Sequence, residues 1–217
     1  MLKLNFFKNL KPVVAIDGTA GSGKGTLARK LSEKLNFDHL DTGLLYRIFA
    51  YKKKNNAKSI IKLSDLYHWL DNKNEIHELR TDEISKIASK ISKFKYVRKS
   101  LVDVQRRFVD NPPKGIGSVI DGRDIGTVIV PMAEVKLFVD AKVEIRAQRR
   151  IEQLKLDESK YNSILENIKM RDYHDSHRKL SPLQQADDSF LIDTSHLDEN
   201  EVLTAALNFI RKETDFI

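Results

Sequence analysis

The chain contains no cysteine. Disulfide scaffolds, cysteine-bound zinc, iron–sulfur clusters and thiol nucleophiles are thereby excluded. No apolar run approaches the roughly 18 residues that a bilayer-spanning helix requires. The opening Met1-Leu2-Lys3-Leu4-Asn5-Phe6-Phe7-Lys8 has no continuous apolar signal core. The expectation is a cytoplasmic protein that spans no membrane. Aromatic residues make up 8% of the chain and do not interleave with basic ones, so the pattern of a nucleic-acid surface is missing. There are five prolines and nine glycines, with no repeat and no low-complexity tract.

What is present is 217 residues that are 41% hydrophobic and 32% charged. At about 150 residues per domain this is one domain, with room for inserted subdomains. The apolar fraction suffices for a core. Lys and Arg number 38 against 31 Asp and Glu, a formal charge of +7. That surplus points to an anionic partner without choosing among nucleic acid, a membrane surface and phosphorylated metabolites.

Four short apolar runs read as buried strands: Val13-Val14-Ala15-Ile16, Ser118-Val119-Ile120, Val135-Lys136-Leu137-Phe138-Val139 and Phe190-Leu191-Ile192. Each ends in a carboxylate: Asp17, Asp121, Asp140 and Asp193. Asp38-His39-Leu40-Asp41 is a weaker fifth candidate. Helical patterns separate the runs. Leu27, Leu31 and Leu35 recur every four residues, and Val97, Leu101, Val104 and Phe108 line one helix face. This alternation predicts an α/β chain with a parallel sheet covered on both sides. Ligands then bind beyond the carboxyl ends of the strands.

Eight of the nine glycines crowd two segments, Gly18, Gly21, Gly23 and Gly25 in one and Gly115, Gly117, Gly122 and Gly126 in the other. Gly18-Thr19-Ala20-Gly21-Ser22-Gly23-Lys24-Gly25-Thr26 follows the first strand and opens the Leu27/Leu31/Leu35 helix. Strand, G-x-x-x-x-G-K spacing and helix together specify a phosphate-binding loop. Its glycines let successive N–H groups face an anion, the helix start adds more, and Lys24 brings a compact charge. An ordinary glycine-rich turn would not need that lysine at that place. Gly25 stands where the general motif has Ser or Thr, and the hydroxyl arrives one position later, at Thr26. This G-K-G-T form resembles the nucleoside monophosphate kinases.

The second cluster is Asp121-Gly122-Arg123-Asp124-Ile125-Gly126-Thr127. Arg123 offers a rigid fork for phosphate, and Asp124 is an acceptor for an exocyclic amine. A turn with a surface ion pair would look the same. Arg171, Asp175 and Arg178 fall at i, i+4 and i+7 of a helical stripe that continues backwards to the apolar Ile168 and Ile164. That face suits phosphate binding, and equally a solvated ion pair. Asp41-Thr42-Gly43 followed by Tyr46-Arg47 repeats the theme of hydroxyl and arginine. Arg149 and Arg150 are candidates to cover bound phosphates, or belong to an exposed basic face. The six histidines show no metal-ligand spacing, and His174 and His177 are expected at the surface.

Taken together, these segments resemble the bacterial-type cytidylate kinases from about residue 12 onward. The D-G-R-D-I-G-T element beside the G-K-G-T loop is the most specific part of the likeness. The resemblance implies a P-loop kinase fold: a five-stranded parallel sheet flanked by helices, an inserted monophosphate-binding subdomain and a short lid. The core would span 12–47, 90–150 and 179–217, the insertion about 48–89 and the lid about 150–178. The insertion is mostly helical by pattern and shorter than in the long bacterial form. Position by position, the resemblance implies that Ser89, Arg98 and Asp124 contact cytosine. Asp175 and Arg171 would hold ribose, and Thr42, Arg47, Arg123 and Arg178 the CMP phosphate. Gly18, Thr19, Ala20, Gly21, Ser22, Gly23, Lys24, Gly25 and Thr26, with Arg149, would hold ATP. Thr19 stands where Pro is common in the family, and Thr42 where Ser is common.

The activity implied is γ-phosphoryl transfer from ATP to CMP and dCMP, for pyrimidine nucleotide supply. Lys24, Arg123, Arg171 and Arg178 would neutralise the moving charge. The implied cofactor is Mg²⁺, without a direct protein ligand but with Thr26 or Asp121 near it through water. The partners are the two nucleotides, the chain a monomer. Another small P-loop kinase acting on UMP or a different acceptor, and a P-loop nucleic-acid-binding ATPase, remain alternative readings.

Overall fold

The structure is a computed structural model that describes residues 11–55, 62, 64, 65, 68, 76–79 and 81–217. The opening segment read for a signal core and parts of the 48–89 insertion lie outside the described residues.

The elements run β1 (Val13–Gly18), α1 (Lys24–Leu35), β2 (Asp38–Asp41), α2 (Thr42–Lys54), α3 (Ile76–Leu79), α4 (Asp82–Ile91) and α5 (Lys95–Asp110). They continue with β3 (Ser118–Gly122), a π-helix at Ile125–Ile129, β4 (Val135–Asp140), α6 (Val143–Leu154), a 3₁₀ turn at Glu158–Lys160, α7 (Tyr161–His177), β5 (Phe190–Asp193) and α8 (Glu199–Glu213). The strands form one parallel five-stranded sheet in the order β2-β3-β1-β4-β5. The weaker fifth candidate, residues 38–41, is thus a full member.

Alternation along β1 divides the core. Val13 and Ala15 face a cluster with α2, α4 and α5 that includes Leu45, Phe49, Leu101 and Phe108. Val14 and Ile16 face a second cluster in which Leu27, Leu31 and Leu35 of α1 meet Val202, Ala206 and Ile210 of α8. Successive side chains of a strand point to opposite faces, so one four-residue apolar run serves two layers. The Phe190-Leu191-Ile192 run corrects the expectation of a buried strand. It forms the edge strand β5, with only Ile192 buried and Leu191 49% exposed. An edge strand with a single helix over one face has less to cover it than a central one.

Local signals end the helices as their chemistry dictates. Asp41 accepts from Leu44 N at the start of α2, Thr81 accepts from Ile84 N at the start of α4, and Asp198 builds a capping box with Glu201 on α8. Asn36 closes α1 in the left-handed conformation. Among the described residues, no helix is long and apolar enough to cross a membrane.

Register sets the site. Asp17 pairs with Gly122, Asp41 with Asp121, Gly18 with Val139, and Asp140 with Asp193. The four strand-end carboxylates, the loop beginning at Gly18 and Gly122 therefore share the carboxyl edge of the sheet. Here β1 lies between strands reached by crossovers in opposite directions, the usual ligand crevice of such folds.

Candidate active site

The first wall of the crevice is the loop 18–26. Gly18 has φ +153, and a Cβ there would lie 2.0 Å from the Val139 carbonyl oxygen. Only glycine lets the chain leave β1 this close to β4. The loop is then tied from outside. Thr19 O accepts from Lys24 Nζ at 3.1 Å, Ala20 O from Arg146 Nη1 at 3.2 Å, and Ser22 O from Thr194 Oγ1 at 3.0 Å. Thr19 Oγ1 donates to Asp140 Oδ1 at 2.6 Å, a bond that needs a side-chain hydroxyl. With those carbonyls committed, the N–H groups from Thr19 to Thr26 donate to no protein acceptor among the described residues, the condition of an anion nest. Burial, followed by the charge of Arg123, lowers the Lys24 amine from 10.5 to about 7. A bound polyphosphate opposes both effects and returns the amine to its charged form.

The second wall joins the other predicted residues. Arg98 Nη2 donates to Asp124 Oδ2, and Arg178 Nη2 to Asp124 Oδ1 at 3.4 Å. Arg178 Nη1 lies 3.9 Å from Asp175 Oδ1, and Arg123 Nε donates to Asp175 Oδ2 at 3.0 Å. Arg171 Nε stands 4.0 Å from that same oxygen and is buried without a hydrogen-bond partner. Helix α5, the end of β3, helix α7 and the segment after it thus deliver four arginines to two aspartates. The surplus is cationic. Asp175 is held below the usual carboxylate range because Arg123, Arg171 and Arg178 outweigh its burial. Burial, then Arg123, lowers Arg171 to about 10, still fully charged at neutral pH. Tyr46 puts its ring 6.0 Å from the Arg98 guanidinium, a cation–π contact.

Not every predicted residue enters this network. Thr42 Oγ1 donates to Asp121 O at 2.7 Å, and a Cβ on Gly122 would lie 2.6 Å from that hydroxyl, so glycine is needed there. Arg47 is half-buried on α2 and acts on Arg171 through its charge. Ser89 is half-buried on α4, with its carbonyl accepting from Ser92 Oγ. Arg149 reaches Thr194, donating to its Oγ1 at 2.9 Å and its carbonyl at 2.6 Å. Helix α7 ends at His177, so Arg178 leaves the predicted helical stripe in an extended conformation and turns toward Asp124. His174 and His177 are exposed as expected.

Three residues of the site were not singled out by spacing. His39 Nε2 pairs with Asp121 Oδ1 at 2.8 Å, which raises the imidazole pKa against the lowering effect of burial. Arg146 of α6 bridges the loop at Ala20 to Asp172 of α7 at 2.5 Å, and its Nε donates to Ala141 O at 2.7 Å. Asp17 accepts from Ile125 N and Gly126 N, each at 2.8 Å. The only sequence signal for Asp17 is its place as a strand-end carboxylate, and Arg146 resembles its basic neighbours.

Burial raises the Asp17 carboxyl from 3.8 to about 6, against the lowering effect of its two N–H bonds. The folded chain therefore holds this proton more tightly than an unfolded one. The stability linked to it is full below about pH 4 and is lost as pH rises through 6, in total about 3 kcal/mol. Between about pH 5 and pH 7 the melting temperature is expected to fall by a few degrees more than that of Asp17→Asn, which has nothing to titrate. Parallel pH profiles for the two proteins would contradict this.

A family model described as cytidylate kinase matches residues 14–212. A cytidylate kinase of Paramagnetospirillum magneticum is 42% identical over 207 residues, covering 93% of this chain and 98% of its own. One of Azorhizobium caulinodans is 43% identical over 209 residues, covering 92% and 98%. Among solved structures, a protein of Eubacterium ventriosum superposes with a TM-score of 0.52 at 18% identity, covering 93% of this chain and 98% of its own. A shikimate kinase of Bacteroides thetaiotaomicron gives 0.51 at 10% identity, covering 93% and 97%. These two speak for the P-loop kinase fold alone.

Proposed function

This chain belongs to the cytidylate kinase family, and from that membership we propose that it transfers the γ-phosphoryl group of ATP to CMP and dCMP, giving ADP and the diphosphate. The observation that carries the proposal is the chain of charge Arg98–Asp124–Arg178–Asp175–Arg123 facing the phosphate loop. It supplies a base-reading end and a phosphate-reading end in one continuous site.

The cytosine edge presents an amino donor beside the N3 and O2 acceptors. Asp124 accepts from the amine, while Arg98 and Ser89 donate to the acceptors. Uracil would set an acceptor against the Asp124 carboxylate. Asp175 and Arg171 hold ribose. Thr42, Arg47, Arg123 and Arg178 hold the phosphate of CMP, whose second ionisation near pH 6, taken from phosphoserine, leaves it a dianion at neutral pH. One of its oxygens attacks the γ-phosphorus in line as the bond to the ADP oxygen breaks, so no side-chain base is required. Residues 18–26 cradle the ATP phosphates, and Arg149 closes over them from α6. Lys24, Arg123, Arg171 and Arg178 offset the charge of the transferring group.

The donor set near Lys24 suits Mg²⁺: one hydroxyl at Thr26, and one carboxylate at Asp121 whose Oδ2 lies 4.0 Å from where a Gly25 Cβ would stand. A magnesium ion that keeps most of its waters needs no more from the protein. When bound, it neutralises and orients the ATP phosphates.

Within the proposed arrangement, residues 48–89 receive the monophosphate and residues 150–178 form the lid, on a core of 12–47, 90–150 and 179–217. Closure of the lid over both nucleotides excludes water. The protein acts as a cytoplasmic monomer, without nucleic acid or membrane.

An ADP-release assay with ATP·Mg²⁺ against CMP, dCMP, UMP, AMP and GMP tests this reading. CMP and dCMP are expected to turn over fastest, and equal rates with UMP would refute the base assignment. Arg178→Ala is expected to raise KM for CMP about tenfold while ATP affinity in a direct titration stays within about twofold. An equal loss on the ATP side would remove Arg178 from the acceptor site.

A further inference from the structure

The D-G-R-D-I-G-T segment folds into a π-helix over Ile125–Ile129, a form rare enough to need outside support. Its first turn is set by the Asp124 carbonyl, which accepts from both Val128 N at 2.9 Å and Ile129 N at 3.0 Å. A helix this short leaves most of its end groups without internal partners. Here they are met from two different elements. At the amino end, Asp17 takes the Ile125 and Gly126 N–H groups, one on each carboxylate oxygen, both at 2.8 Å. At the carboxyl end, Arg106 donates from Nε to Ile129 O at 3.1 Å and from Nη2 to Val128 O at 3.0 Å. An anion thus meets the donor end and a cation the acceptor end, the sense that the backbone dipoles favour.

Both clamps come from elements that serve the site elsewhere. Asp17 is the last side chain of β1 before the phosphate loop begins at Gly18. Arg106 lies on α5, two turns beyond Arg98, whose guanidinium holds the Asp124 carboxylate from the side. Asp124 is therefore fixed through its side chain by Arg98 and Arg178, and through its own turn by Asp17 and by Arg106. Gly126 admits this packing, since a Cβ there would come to 3.1 Å from the buried Lys136 stem and 3.5 Å from Asp17 Oδ2.

We propose that Asp17 and Arg106 are positioning residues that set selectivity for the acceptor base by clamping the two ends of the π-helix and so aiming the Asp124 carboxylate. This rests on the reading of Asp124 as the base-contacting group. Neither clamp touches substrate. Both act on a carboxylate that must meet one amine within hydrogen-bond reach, where a displacement of about 1 Å is enough to lose the discrimination. The phosphate loop has its own ties, from Thr19 to Asp140, Arg146 to Ala20 and Thr194 to Ser22, so loosening the turn should leave the loop in place.

The test uses the full chain with Arg106→Ala, Arg106→Lys and Asp17→Asn. Amide hydrogen exchange without nucleotide is followed in peptides covering residues 124–130, together with KM for each nucleotide and the CMP-to-UMP ratio of kcat/KM. For Arg106→Ala, exchange in 124–130 is expected to quicken about tenfold while β1 and β3 peptides stay unchanged. KM for CMP should rise about tenfold, the CMP-to-UMP ratio should fall by a similar factor, and KM for ATP should stay within about twofold. Arg106→Lys keeps one charge-assisted bond to the two carbonyls and should fall between wild type and alanine. Asp17→Asn has one acceptor oxygen instead of two and should act in the same direction. If the aspartate variant does not fold, the two arginine variants still decide. Unchanged exchange in 124–130 overturns the proposal. So does faster exchange with selectivity intact, or a joint rise in KM for CMP and ATP. Should wild type itself not prefer CMP, the reading of Asp124 fails. Exchange and the KM for the acceptor actually used then judge the clamp separately.

Discussion

Lys24→Ala is expected to lower kcat about a thousandfold while the melting temperature stays within a few degrees of wild type. The two halves of this expectation have one cause. The Lys24 amine is buried and donates from Nζ to Thr19 O at 3.1 Å, with Arg123 and Arg171 opposing its charge. Without nucleotide the amine is thus held near its midpoint at about 7 by burial and by those arginines. Deleting such a strained cation costs the empty fold little. On the proposed function the transition state is different, because negative charge develops on the transferring oxygens that Lys24 would meet. One well-placed donor of this kind contributes about 3–4 kcal/mol. Arginine should not restore the rate, since its planar fork replaces a compact point charge. Steady-state turnover, thermal unfolding and an ATP titration provide the check, and kcat within tenfold of wild type would remove Lys24 from the chemistry.

Asp124→Asn is expected to reduce the CMP-to-UMP preference about a hundredfold and to destabilise the protein at the same time. The asparagine offers an amide N–H to the uracil carbonyl at position 4, and keeps only one acceptor for the cytosine amine. Stability falls for a separate reason. Asp124 is the counter-charge to Arg98 and Arg178, whose side chains are 7% and 8% exposed. Removing one partner of a buried ion pair costs about 3–5 kcal/mol, which for a chain of this size is about 10 °C in melting temperature. Bound CMP should recover part of that loss by mass action. A substrate panel and thermal unfolding with and without CMP separate the effects. An unchanged selectivity ratio would mean that another group reads the base.

The two variants also mark how far the linear chain can be read. Lys24 is identified by neighbours between Val13 and Leu35. Strand, glycine spacing and helix start form a local object, and the structure places it as the spacing requires. The strands follow the same rule, with a useful exception at β5. Its apolar triplet looks as buried as that of β1, yet Leu191 is half exposed because no strand lies beyond it. Composition alone cannot tell an edge from a centre, since the difference lies in the neighbours.

The network of arginines and aspartates belongs to the opposite case. Arg98 and Asp124 are 26 residues apart, Arg123 and Asp175 are 52, Arg178 and Asp124 are 54, and Asp17 and Ile125 are 108. No periodicity relates such positions. The likeness to a family named most of them, but without their mutual pairing. Asp17 and Arg106 stay silent in the sequence because a strand-end aspartate and a helix arginine are ordinary in isolation. Their meaning appears when β3 inserts beside β1 and the π-helix falls between them and α5.

By itself the sequence determined the phosphate loop, the parallel α/β architecture and the residue types brought to the crevice. These depend on spacings of a few residues, over which backbone geometry leaves little choice. The tertiary structure alone decided which arginine faces which aspartate, that Arg178 leaves its helix to do so, and that a π-helix is held at both ends. Those depend on strand order and register, set by burial of the whole core and not by any segment within it.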